Sequence, residues 1–149
     1  MKRTLLIFTI VFILMQLIQV DKANEVSDKS LEIKAPDDIM KMLKVSCYDC
    51  HSNEVIWPWY SNIAPFSWVI STHVDDGRKW LNFSVWENYT EEEKKKKLKG
   101  IYRTAYAVMP LESYIFLHEE ADLTKEQRTQ IRDWTGVRKR RWEKKYKNY

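Results

Sequence analysis

With 149 residues, 44% of them apolar, the chain has room for one ordinary domain and a short leader. The net charge of +4 comes from the C-terminus: residues 138–149 carry seven basic groups against one acidic, and residues 1–137 hold 18 basic and 20 acidic groups. That distribution excludes a nucleic-acid reading of the whole protein, and three glycines are too few for a doubly wound sheet with tight turns.

The N-terminus reads Met1-Lys2-Arg3, then an apolar run from Leu5 to Val20 broken only by Thr9, Gln16 and Gln19. A basic start before an apolar stretch is an export signal with its N-terminus on the cytoplasmic side. No small-residue cleavage site follows, so residues 1–20 are expected to stay as an N-terminal membrane anchor, a transmembrane helix, rather than a removed signal segment. Residues 21–34 are polar and mixed in charge and are expected to form a tether. From these, the domain is assigned to residues 35–137 and a basic tail to 138–149.

Pro36 suits the first turn of a helix, and Asp37 and Asp38 suit the positive end of its dipole. Ile39, Leu43, Cys47 and Cys50 follow at helical spacing. The stretch Cys47-Tyr48-Asp49-Cys50-His51 contains both cysteines of the protein and a histidine directly after the second. Such a C-x-x-C-H run is the pattern of covalent c-type haem attachment. Two thiols must reach the two vinyl groups of one porphyrin while an imidazole of the same segment reaches the iron. On a helix, positions 47, 50 and 51 share one face. A thioredoxin-like redox pair would want a βαβ setting, and half of a zinc site would want two more soft ligands nearby.

Trp57-Pro58-Trp59-Tyr60 forms an aromatic loop, and Pro65 opens a helix expected to present Phe66, Val69, Ile70 and Val74 inward and to stop at Gly77. Trp57, Trp59, Tyr60, Phe66 and Ile70 are the candidate wall of a large planar cofactor. His73 falls on the same apolar face. A third helix opens at Thr90 with a capping box to Glu93 and continues through Leu98, Ile101, Tyr102 and Ala105, with Lys94 to Lys97 on a solvated side. Met109-Pro110 then leaves a methionine in a loop. A second capping box, Thr124 with Gln127, opens a last helix with Ile131 and Trp134 inward.

No stretch alternates with period two, so the domain is expected to be all-α, its helices joined by long loops that can wrap a cofactor. His51 is the candidate proximal axial ligand. Met109 is the favoured distal ligand because a soft thioether stabilises reduced iron, and His73 is the alternative, which would lower the potential. His118 is expected at the surface or in a capping role.

Four stretches together resemble the small haem-binding domain proteins among exported bacterial c-type cytochromes. They are C-Y-D-C-H-S-N at 47–53, W-P-W-Y-S-N-I-A-P-x-S-W at 57–68, H-x-x-x-G-R-x-x-L-N-F-S at 73–84 and M-P-L-x-S-Y-x-x-x-H-x-x-A-x-L-T at 109–124. The resemblance covers roughly residues 35–135. It implies one covalent haem c on Cys47, Cys50 and His51, a domain similar to the cytochrome c fold, and an anchored position at the bacterial inner membrane facing the periplasm. By analogy with the Met-Pro ligand loop of cytochromes c, it also implies Met109 as a ligand. The expected function is single-electron transfer between redox partner proteins, not enzymatic catalysis. The alternatives are a peroxidase-like haem enzyme with His73 as a distal acid-base group, and a redox or gas sensor with an exchangeable sixth ligand.

Overall fold

The computed structural model describes residues 1–139. Seven α-helices occur among them in the order α1 Lys2–Met15, α2 Asp37–Ser46, α3 Tyr48–His51, α4 Phe66–Trp80, α5 Glu91–Ala107, α6 Glu112–Ile115 and α7 Lys125–Trp134. Four short 3-10 turns link them, and no strand is present among the described residues. The all-α expectation holds. Of the expected basic tail, residues 140–149 lie outside the described residues.

Local signals set most helix starts. Thr90 accepts from the backbone N–H of Glu93, whose carboxylate accepts from the Thr90 N–H, and Thr124 forms the same reciprocal pair with Gln127. Each box satisfies two of the N–H groups that a helix start leaves without partners. Asp37 and Asp38 occupy the first turn of α2 after Pro36.

The core is built where α2, α5 and α7 meet. Ile39, Met42 and Leu43 of α2, Ile101 and Ala105 of α5, and Ile131 of α7 are buried together with Tyr48, Phe83, Trp86 and Leu123. α5 and α7 form the most extensive helix pair, and α7 also meets α2. Burying a side chain such as Leu43 or Ile131 contributes about 1.5–3 kcal/mol each, which fixes α2, and the motif that follows it, against the rest of the domain.

Three expectations need correction. First, α1 has 14 residues, a length of about 21 Å at 1.5 Å per residue, against a hydrocarbon layer of about 30 Å. No helix among the described residues is long and apolar enough to cross a membrane. Second, the segment expected as a tether lies along the domain: Ile33 is buried and its N–H donates to the Phe83 carbonyl at 2.9 Å. Asn24 bonds the backbone of Val55 through both side-chain polar atoms, and Lys29 pairs with Glu54. Val26, Leu31 and Ile33 are scattered among polar residues with no sustained period, so nothing in the sequence marks Ile33 as buried.

Third, α4 runs through Gly77 to Trp80 and buries a different face. Its buried residues are Ser67 and Val74, with Ile70 half-buried, whereas Phe66, Val69 and His73 are exposed. Positions 67, 70, 74 and 77 form one line along the helix. The small residues at its ends let α4 approach the rest of the fold closely.

Candidate functional site

The C-x-x-C-H segment makes its own turn instead of ending α2. α2 stops at Ser46, and Cys47, with φ −133° and ψ −30°, breaks the helix and serves as the N-cap of α3. The Cys47 carbonyl accepts from the N–H groups of Cys50 at 3.2 Å and His51 at 2.9 Å. The i, i+3, i+4 relation expected of a helical face is therefore kept by one isolated turn. Both cysteines are free thiols and both are half-buried.

α4 backs this turn at very short range. A Cβ added to Gly77 would stand 2.3 Å from the Cys50 carbonyl oxygen and 3.0 Å from its carbon. Glycine is required by this approach of backbone to backbone, not as a helix terminator. Because α4 comes so near, the His51 ring reaches a carbonyl of the helix and that of its C-cap: Nδ1 lies 3.0 Å from the Gly77 oxygen and 3.0 Å from the Leu81 oxygen. A carbonyl can only accept, so Nδ1 carries the proton and Nε2 keeps a lone pair. This is the arrangement in which an outer hydrogen bond fixes the tautomer and orientation of a metal-binding histidine. Phe83 supports the ring edge-on at 6.2 Å.

Burial holds the His51 pKa below its ordinary value of 6.5, outweighing the two carbonyls, and Lys97 adds to the lowering. The unfolded chain thus takes up a proton near pH 6.5 that the folded ring resists, so stability contributed by His51 is present above that pH and lost as pH falls toward the folded value. Haem-free protein should show a steeper fall of the thermal midpoint on mild acidification than its His51→Gln variant; equal slopes would contradict the assignment.

The thiols are also shifted. Burial, then the neighbouring Cys50, pushes Cys47 up to about 12, and burial with the Asp49 carboxylate pushes Cys50 up to about 11. Thiolate is the reactive and metal-binding form, so these surroundings oppose both dithiol redox chemistry and a zinc site. Among the described residues no group of three His, Cys, Asp or Glu side chains could hold a metal ion. A haem iron brings four ring nitrogens of its own and asks the protein for one or two ligands. A single oriented imidazole beside two neutral thiols fits that group.

Met109 is half-buried in the loop after α5. Its N–H donates to the Thr104 carbonyl at 2.8 Å, and its carbonyl accepts from Arg128 at 2.6 Å. His73 is exposed on α4, one turn before Gly77. The expected wall residues divide. Trp57 is half-buried with its indole donating to the Lys22 carbonyl at 2.8 Å, whereas Trp59 and Phe66 are 73% and 59% exposed. Tyr60 bonds His118 Nε2 at 2.8 Å, and Ile70 is half-buried.

Several contacts at the site had no counterpart in the sequence reading. Asp49, one of the two unspecified positions of the motif, accepts from the Tyr114 hydroxyl at 2.6 Å and from the Ile56 N–H at 3.0 Å. It thereby ties the attachment turn to α6. His118, expected as a surface or capping group, stacks on Tyr114 at 4.3 Å and contacts Glu120 at 3.0 Å. Lys97, expected on a solvated side, donates to the Trp80 carbonyl at 2.5 Å and lies over Tyr89.

A haem-binding domain family matches residues 10–136. The chain belongs to that family. Neither a curated protein nor a solved structure matches it. As a haem-binding domain, the protein has its oriented histidine and paired thiols inside the matched region. The match also extends N-terminal of the four blocks that carry the sequence resemblance and takes in the segment from Asn24 to Ile33 that lies along the domain.

Proposed function

We propose that this haem-binding domain protein is an exported monohaem c-type cytochrome that carries single electrons between redox partner proteins. The observation that carries the proposal is His51: its Nδ1–H is held by two carbonyls, its Nε2 keeps a lone pair, and Cys47 and Cys50 belong to the same turn. Haem c bound there supplies a reversible one-electron iron couple. Cys47 and Cys50 would retain it through thioethers, and His51 Nε2 would be the proximal ligand. Met109 would be the distal ligand, its neutral thioether favouring reduced iron.

An electron carrier is favoured over a peroxidase-like enzyme because the loop bearing Met109 is fixed at both backbone groups of that residue. A held loop suits a filled sixth position, whereas an enzyme needs an open one. The order of motif, long helix α5 and Met-Pro loop, with α7 packed on both α2 and α5, supports a cytochrome c-like arrangement in which the two ligands come from separate elements. For localisation, the basic start and the apolar side chains exposed along α1, such as Leu5, Phe8 and Phe12, support export and association of this segment with the membrane, with the domain on the periplasmic side.

Absorption spectra of protein matured with covalent haem test this reading. Met109→Ala should lose the thioether-to-ferric-iron charge-transfer band, and His73→Ala should keep it. A wild type that is high-spin in both oxidation states would contradict the carrier.

A further inference from the structure

We propose that Arg128 is the positioning residue of the distal side, holding the Met109 loop in place for iron. The proposal rests on the reading of Met109 as sixth ligand. Arg128 projects from α7 with its side chain only 17% exposed. Its Nη1 donates to the carbonyls of Ala105 at 2.8 Å and Met109 at 2.6 Å, its Nε to the Leu123 carbonyl at 2.9 Å, and its Nη2 pairs with Asp122 at 3.3 Å. One guanidinium thus joins the end of α5, the ligand loop and the segment leading into α7.

The consequence for Met109 is specific. Its N–H is taken by Thr104 and its carbonyl by Arg128, and Pro110 next in the chain has no N–H to offer a competing arrangement. The remaining freedom of Met109 is that of its side chain, so the thioether is presented from a fixed base. Lysine could supply the charge but not the fork that reaches several carbonyls at once.

Arg132, one turn further along α7, provides the control. It donates to the Tyr102 carbonyl at 3.2 Å and stacks over Tyr102 and Tyr106 at 4.3 and 4.7 Å, tying α7 to α5; among the described residues it makes no hydrogen bond to the Met109 loop.

The test is titration of ferric, haem-loaded protein with imidazole, following the thioether charge-transfer band, in wild type, Arg128→Met, Arg128→Lys and Arg132→Met. Loss of an outer group that orients a ligand weakens metal ligation by about 10–100-fold. The imidazole concentration for half-displacement should therefore fall about tenfold or more in Arg128→Met and by less in Arg128→Lys. It should stay near wild type in Arg132→Met. Should Arg128→Met fail to fold, Arg128→Lys carries the same comparison. If the wild type shows the band and the Arg128 variants release Met109 no more easily than wild type or Arg132→Met, the proposal is overturned alone. A wild type without the band removes the Met109 reading, and the proposal with it.

Discussion

Gly77→Ala should destabilise the protein and disturb the haem site, although the same exchange inside an ordinary helix stabilises by up to about 1 kcal/mol. The added Cβ would stand 2.3 Å from the Cys50 carbonyl oxygen, 3.0 Å from its carbon and 3.2 Å from its Cβ. Two of those atoms are backbone, so no flexible side chain can swing aside. Overpacking of this kind costs about 1–3 kcal/mol. Relief by moving α4 outward would also stretch the two bonds from His51 Nδ1 to the Gly77 and Leu81 carbonyls. Gly100, in the interior of α5, supplies the internal comparison, because an added Cβ there meets nothing within 4 Å. Gly100→Ala should stabilise by about 0.5–1 kcal/mol. Denaturant unfolding of both variants measures the contrast; a Gly77→Ala variant as stable as Gly100→Ala would refute the close approach.

What could be read in the sequence was what is local. The capping boxes at Thr90 and Thr124, the start of α2 after Pro36 and the 47–50–51 spacing each depend on residues within one turn, and each is found. Partners brought from far along the chain were not legible. Asp49 occupies an unspecified position of the motif, and nothing near it points to Tyr114, 65 residues away. Arg128 looks like any polar residue of a helix whose inward marks are Ile131 and Trp134. A glycine after an apolar run, such as Gly77, signals a helix stop as readily as a close crossing, and only the position of Cys50 separates the two. The inward face of α4 was misassigned for a related reason: the sequence offers large apolar residues at 66 and 69, but the crossing selects the line containing Ser67 and Gly77.

Replacing both cysteines should have the larger effect on function. With Cys47→Ala and Cys50→Ala together, no thiol remains to bond the porphyrin, and haem held by axial ligation alone should be lost on denaturation. Either single variant should retain it through one bond. The oriented His51 is unaltered in all three, so reconstitution with free haem should still give an axial imidazole in the double variant. Loss of haem on denaturation in the double variant alone would separate the work of the thiols from that of the imidazole.

The central claim is that Cys47 and Cys50 bind haem covalently in the living cell. Intact-mass measurement of protein produced with a cytochrome c maturation system, then fully denatured, addresses it directly. The predicted result is a chain carrying the mass of one haem, absent from the double cysteine variant. A denatured wild-type chain without that added mass, with its haem released as free porphyrin, would contradict it.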